Sequence, residues 1–349
     1  MSEIKVLIVD DSAFMRKVIT DFLDKDHRFK VVGTARDGEE ALKKVTLLAP
    51  DVITLDVEMP VMDGLETLQH LMKIKPTPVV MLSSTTFEGA NNTFLAMQYG
   101  AIDFVAKPSG AISLDLHKVK DELISKLLIA SKANIPKVKA SISPIKQNVA
   151  EVPVVVSKKN KIVCIGTSTG GPRALQEVLT AIPASIQAPI LIVQHMPPGF
   201  TQSLAARLNQ LSAIEVKEAK NKEKLKCGCA YIAPGGYHLT VRKEGGDLFA
   251  YLDESPPVKG HRPSVDRLFT SISNLSEYEK VAIILTGMGS DGTEGMIQLK
   301  KSGRTVAIAE SQETSIIYGM PKSAIATKLI DHVERLDNVS KVISHYVQK

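Results

Sequence analysis

The 349 residues are 44% hydrophobic and 23% charged, the balance of a globular chain with room for about two domains. No apolar run approaches the ~20 residues that a bilayer-spanning helix needs, and the formal net charge of +5 gathers partly in one central segment, so neither membrane insertion nor nucleic-acid binding by a folded domain is expected. The opening Met-Ser-Glu-Ile-Lys5 has no secretory apolar core, and the three cysteines suit a reducing compartment; both features predict a cytoplasmic protein.

In chain order, Ile4-Lys-Val-Leu-Ile-Val9 is a buried-strand run closed by Asp10-Asp11-Ser12, and Phe14, Val18 and Phe22 then recur at helical spacing. Val31-Val32, a helix over about 39–48, the strand Val52-Ile-Thr-Leu55, a helix over about 65–74 and the strand Pro78-Val-Val-Met-Leu82 continue the alternation. A helix over about 91–99, the strand Ile102-Asp-Phe-Val105, and Leu116, Val119, Leu123 and Leu127 at helical spacing finish it. Five strands alternating with five helices predict a doubly wound parallel sheet over residues 1–130, with ligands at the carboxyl ends of its strands. Asp10, Asp11, Asp56, Ser83 and Lys107 all fall at those ends. Three converging carboxylates repel unless a cation joins them, and hard oxygen ligands with room for water suit Mg²⁺. Lys107 adds positive charge for an anion bound beside them.

The set Asp10-Asp11-Ser12, Asp56-Val-Glu-Met59-Pro60, Met62-Asp63-Gly64, Ser83 and Lys107-Pro108 resembles the receiver domain of bacterial response regulators. The resemblance implies a flavodoxin-like fold in which Asp56 accepts a phosphoryl group, from a histidine kinase, and Asp10, Asp11 and Asp56 hold Mg²⁺. It further implies that Lys107 pairs with the phosphoryl oxygens, while Ser83 swings to bond the phosphate and Phe104 repacks. Phosphorylation adds about −1.5 to −2 charge at one loop, which biases a two-state surface.

From residue 131 to 160 the periodicity dissolves among Pro136, Pro144, Pro153 and six lysines, with Glu151 the one acid. That composition predicts a flexible linker.

Over residues 161–349 the alternation resumes. Lys161-Ile-Val-Cys-Ile-Gly166 runs into Thr167-Ser168-Thr-Gly-Gly171-Pro172, and Ala174, Leu175, Val178 and Leu179 give a helix face. Pro189-Ile-Leu-Ile-Val193 ends in Gln194-His195-Met-Pro-Pro198, Phe200 to Leu211 reads as a helix, and about 215–253 reads as short strands in a hairpin excursion, with turns at Gly235-Gly236 and Gly245-Gly246. Val281-Ala-Ile-Ile-Leu285 ends in Thr286-Gly-Met288-Gly-Ser-Asp291-Gly292, and a helix, the strand Thr305-Val-Ala-Ile-Ala309 and terminal helices complete a second doubly wound sheet.

Ser168, His195 and Asp291 therefore stand at three strand ends, which in a parallel sheet share one edge. A serine nucleophile needs an imidazole to take its proton and a carboxylate to fix that imidazole. Gly166-x-Ser168-x-Gly170 also fits the sharp turn that lifts a nucleophile above a sheet, although the order Ser, His, Asp is not that of α/β-hydrolases. No Lys-Ser/Thr follows the last glycine, so the turn is not a P-loop. Cys227-Gly-Cys229 is too tightly spaced for a zinc knuckle, and His238 and His261 have no ligand-spaced partners.

Gly166–Pro172, Gln194–Pro197, Ala233–Gly236, His261-Arg-Pro-Ser-Val-Asp266 and Leu285–Gly292 together resemble the chemotaxis protein-glutamate methylesterases. The resemblance implies Ser168 as nucleophile, His195 as general base and Asp291 as orienting carboxylate, with Thr169 and the Met288 loop supporting the oxyanion. No cofactor is implied for this domain. The implied substrates are methylated chemoreceptors, whose glutamyl methyl esters would be hydrolysed to methanol and whose glutamines would be deamidated. An unphosphorylated receiver is expected to block the crevice near Ser168. A DNA-binding output would instead require a helix-turn-helix with a basic recognition helix, which the repeated buried strands and glycine turns do not offer.

Overall fold

The computed structural model describes residues 3–84, 87–107, 115–135 and 160–348, which fall into two compact units. Most of the expected linker, 136–159, and Pro108 lie outside the described residues.

The first unit alternates β1 (Ile4–Val9), α1 (Ala13–Leu23), β2 (Phe29–Ala35), α2 (Gly38–Leu48), β3 (Val52–Asp56), α3 (Gly64–Ile74), β4 (Val79–Ser83), α4 (Phe87–Tyr99), β5 (Asp103–Ala106) and α5 (Asp115–Ala130). The strands form one parallel sheet in the order β2-β1-β3-β4-β5. β3 and β4 are buried throughout, as strands covered on both faces must be. Helix starts follow local chemistry: the side chains of Ser12, Asp37 and Asp63 accept from the backbone N–H of Met15, Glu40 and Glu66, each such cap contributing about 1 kcal/mol. The first helix forms where Phe14, Val18 and Phe22 recur at helical spacing. Ile19 and Leu23 are its buried residues, Val18 and Phe22 are partly buried beside them, and Phe14 in the first turn is 56% exposed.

The second unit contains β6 (Lys161–Thr167), α6 (Gly171–Thr180), β7 (Ile190–Gln194), α7 (Phe200–Leu211), β8 (Glu215–Glu218), β9 (Glu223–Lys224), β10 (Cys229–Ile232), β11 (His238–Glu244), β12 (Asp247–Asp253) and α8 (Val265–Ser273). It ends with β13 (Glu279–Ile284), α9 (Thr293–Lys301), β14 (Thr305–Glu310), α10 (Met320–Ala326), β15 (His332–Glu334) and α11 (Leu336–Gln348). Seven strands form a parallel sheet in the order β15-β14-β13-β6-β7-β10-β8. Its centre is fully apolar: Ile162, Cys164, Leu191, Val193, Ala282 and Ile284 share one core with Val265, Leu268 and Phe269 of α8, each large side chain contributing about 1.5–3 kcal/mol by burial. On α6 the expected face, Ala174, Leu175, Val178 and Leu179, is buried.

The excursion is only partly a hairpin. β11 and β12 pair antiparallel with β9 beside them, closed by Gly245 and Gly246 at φ +58° and +96°, the backbone of a two-residue hairpin turn. β8 and β10 instead join the main sheet, so Gly235-Gly236 lies in the connection leaving β10 rather than in a hairpin turn. Among the described residues, no helix is long and apolar enough to cross a membrane.

Candidate active site and phosphoacceptor site

In the first unit, β1 and β3 are neighbours with Val9 opposite Leu55, which sets Asp10 beside Asp56. Ligand oxygens of Asp10, Asp11 and Asp56 lie within 4.8 Å of one another. Asp10 and Asp56 are 0% and 3% exposed, and Asp11 is at the surface. Lys107 at the end of β5 reaches both, with Nζ 3.1 Å from Asp10 Oδ2 and 2.6 Å from Asp56 Oδ2. Burial pushes the Asp56 carboxyl up to about 6 against the opposing pull of Lys107. Burial works against the Lys107 charge too, but the two carboxylates hold its ammonium above the usual value. Lys107 already bridges Asp10 and Asp56, and together with Asp11 these carboxylates form an all-oxygen set that fits a small divalent cation. Close backbone approach requires glycine at 64, where a Cβ would stand 2.0 Å from the Asp56 carbonyl oxygen.

Ser83, fully buried, donates to Gly89 O at 3.0 Å and accepts from Thr93 Oγ1 at 2.8 Å. Phe104 is 3% exposed, with the Lys126 ammonium 4.8 Å from its ring centroid. Ser83 is thus held by α4 rather than by Asp56.

In the second unit the strand order reverses beside β6, at the switch point where crevices form in such sheets. Ser168 follows β6, half-buried. Its N–H donates to Thr286 O at 3.0 Å, and its C=O accepts from Gly171 N at 2.8 Å and Gln194 Nε2 at 3.0 Å. The chain then turns through Gly170 at φ +80° into α6. On the other side Thr167 pairs with Gln194, and His195 N donates to Thr167 O at 3.2 Å, so Ser168 and His195 leave adjacent strands together.

His195 Nε2–H donates to Asp291 Oδ2 at 2.8 Å. Its Nδ1 is buried with no hydrogen-bond partner. Asp291, 2% exposed, also accepts from Val265 N (2.7 Å), Ser264 Oγ (2.9 Å), Asp266 N (3.0 Å) and Gly292 N (3.0 Å). Burial opposes its charge, yet the His195 bond and these donors hold the carboxyl well below the usual range. Asp266 ties the loop from behind: Oδ1 accepts from Gly292 and Gly295 N–H, and Oδ2 from Lys259 Nζ at 2.8 Å.

The Met288 loop runs against the serine. A Cβ on Gly287 would come within 2.8 Å of Ser168 Cβ. Gly287 N donates to Ile317 O, and its carbonyl accepts from Gly319 and Met320. The Met288 side chain is 53% exposed. Thr169, 7% exposed, has its carbonyl bound by Thr286 Oγ1 at 2.9 Å. The structure therefore pairs His195 with Asp291, sets Ser168 and His195 at the ends of adjacent strands with Gly287 against the serine, and separately gathers Asp10, Asp11, Asp56 and Lys107.

Sequence reasoning left several partners without a role. Ser264, Val265 and Asp266 form the first turn of α8, where Ser264 Oγ also accepts from Arg267 N. The cap and the apolar positions Val265, Leu268, Phe269 and Ile272 signal that helix. Glu310 closes β14, its Oε2 accepting from Thr286 N at 2.8 Å. Burial pushes it up to about 7. His261 stacks on His195, with centroids 3.8 Å apart and planes 6° from parallel.

A phosphoacceptor-type acidic pocket in one unit and a serine beside an imidazole–carboxylate pair in the other define a response regulator with an enzymatic output. Residues 6–117 match the response regulator receiver domain, and residues 163–343 match the CheB methylesterase. The chain belongs to the CheB methylesterase family. It is 58% identical over 346 residues to the protein-glutamate methylesterase/protein-glutamine glutaminase of Geobacillus kaustophilus (strain HTA426), covering 98% of both chains. The Bacillus subtilis (strain 168) protein of the same description is 49% identical over 358 residues, covering 99% of both. The crystal structure of the Thermotoga maritima CheB methylesterase catalytic domain superposes with a TM-score of 0.52 at 43% identity, over 54% of this chain and all of that one.

Proposed function

We propose that this chain is a phosphorylation-activated methylesterase that hydrolyses glutamyl methyl esters of chemoreceptors and deamidates their glutamines, with residues 1–130 as receiver and 161–349 as catalytic domain. The observation that carries the reading is the His195 ring: one nitrogen is fixed by Asp291, and the other is buried, unpaired and carried on the strand next to Ser168.

In the reaction Ser168 Oγ attacks the δ-carbonyl carbon of the ester while His195 Nδ1 takes the hydroxyl proton. Asp291 keeps the ring's other N–H engaged and offsets the imidazolium charge. The tetrahedral oxyanion meets backbone donors at Thr169 and the Met288 loop, the kind of fixed dipole that stabilises developing charge most effectively. His195 returns the proton to the methoxy oxygen, the C–O bond breaks and methanol leaves. Water, deprotonated by the same nitrogen, then cleaves the acyl-serine to glutamate. A glutamine substrate follows the same course and releases ammonia.

Asp10, Asp11 and Asp56 would hold Mg²⁺, which neutralises phosphoryl charge during transfer from a histidine kinase to Asp56. Lys107 pairs with the new phosphoryl oxygens. For Ser83 to bond that group it must leave Gly89 and Thr93, which links α4 to the phosphorylation state, and Phe104 repacks with it. Complete inversion of a 1:99 equilibrium takes ~5.5 kcal/mol, so partial activation is expected.

The test is methanol release from methylated receptor membranes with a small phosphodonor and Mg²⁺. Ser168→Ala should leave only the ~10³–10⁴-fold residual catalysis over water that binding and oxyanion donors provide. Wild-type turnover by that variant would sink the reading.

A further inference from the structure

We propose that His261 is a positioning residue for this reaction: its ring lies flat on His195 and locks the plane in which the imidazole meets Asp291 and presents its free nitrogen. The inference rests on the esterase reading and adds to it a residue that acts through the His195 ring.

The platform under His261 is rigid. Its N–H donates to Val258 O at 2.9 Å and its C=O accepts from Val258 N at 3.0 Å, closing a two-residue turn in which Lys259 and Gly260 both have positive φ, +49° and +83°. Lys259 Nζ ties the turn to Asp266 Oδ2 at 2.8 Å. Three residues beyond His261, Ser264 begins the run that donates to Asp291. One short segment thus holds the plane of the imidazole and the position of its carboxylate.

The stack has a mechanical consequence. A His195 ring fixed only by its Nε2–H bond can still rock about that bond and carry Nδ1 away from the serine. A second ring 3.8 Å above and 6° from parallel blocks that movement and keeps water from one face. The covering ring must also be neutral, since a second charge there would oppose the imidazolium. Burial, then the neighbouring His195 charge, push His261 down to about 4, with Asp291 opposing.

The experiment compares wild type, His261→Ala, His261→Phe and His261→Gln as full chains. It measures kcat and KM for methanol release, and the rate at which a fluorophosphonate labels Ser168. In that labelling Oγ forms a bond to phosphorus, fluoride leaves, and the serine proton passes to His195, with no receptor docking involved. The expected result is a fall of roughly 10- to 100-fold in kcat and in labelling rate for His261→Ala, with KM unchanged. His261→Phe, which restores a flat ring, should recover to within about threefold, as expected for stacking rather than proton transfer. Undiminished rates in His261→Ala overturn the proposal, and so do equal losses in the Ala and Phe variants with unchanged melting. If His261→Ala does not fold, His261→Gln takes its place: a slow Gln variant beside a fast Phe variant supports the stack, and equal rates refute it. Wild-type chain that is not labelled at Ser168 would overturn the esterase reading itself.

Discussion

Glu310 makes this protein's stability depend on pH in a direction opposite to most carboxylates. It is fully buried at the end of β14, where burial raises it from 4.5 to about 7 while the Thr286 amide pulls the other way. That displacement is worth about 3 kcal/mol at ~1.36 kcal/mol per tenfold. Because the folded value lies above the unfolded one, the contribution is complete below about pH 4.5 and is lost as pH rises through about 7. Glu310→Gln keeps an oxygen for Thr286 N–H and cannot ionise. The variant should therefore lie within about 1 kcal/mol of wild type near pH 5 and exceed it by about 3 kcal/mol at pH 8. Urea unfolding of the full chain from pH 5 to 8.5, read by hydrogen exchange in peptides spanning residues 281–310, measures the difference where it arises. Curves for the two proteins that run parallel across this window would refute the reasoning.

Further perturbations probe the site directly. Gly287→Ala drives a methyl group to 2.8 Å from Ser168 Cβ and 2.5 Å from Met320 Sδ; kcat for methanol release should fall ~100-fold with KM little changed. Asp291→Asn turns an amide NH₂ toward backbone donors and removes the charge opposite His195, so kcat should drop ~10³–10⁴-fold, and thermal melting should show a lower Tm. Chelation of Mg²⁺ should abolish phosphorylation of Asp56 by acetyl phosphate, followed by phosphate-affinity electrophoresis, while methanol release without phosphodonor stays unchanged. Lys107→Ala removes the cation 2.6 Å from Asp56 and should slow phosphorylation without altering the fluorophosphonate labelling of Ser168.

What could be read in the sequence was whatever burial writes locally. β6, β7 and β13 are covered on both faces and carry the apolar stretches 162–165, 190–193 and 281–284, so Ser168, His195 and the loop to Asp291 stand out as polar groups after them. The same logic exposed Asp10, Asp56, Ser83 and Lys107. Features set by contacts between distant segments left fainter marks. β15 is three residues long with Val333 half exposed, too short to show a period. In α1 the spacing of Phe14, Val18 and Phe22 marked the helix, but it does not say that Ile19 and Leu23 are its most deeply buried positions. Ser264 and Asp266 carried the signal of a capped helix, yet nothing local says that its first turn receives a carboxylate from residue 291. The His195–His261 stack joins two loops by shape alone, and no spacing rule reports it.

The strand order of the larger sheet has a consequence for synthesis. β6 is made early and pairs with β7, but its other edge is covered only by β13, more than a hundred residues later. Until the ribosome delivers that strand, the nascent chain carries an open, largely apolar sheet margin, the kind that invites pairing with a stranger. Premature termination between those two strands would release a fragment already bearing the nucleophile yet lacking its carboxylate, sticky and inert at once.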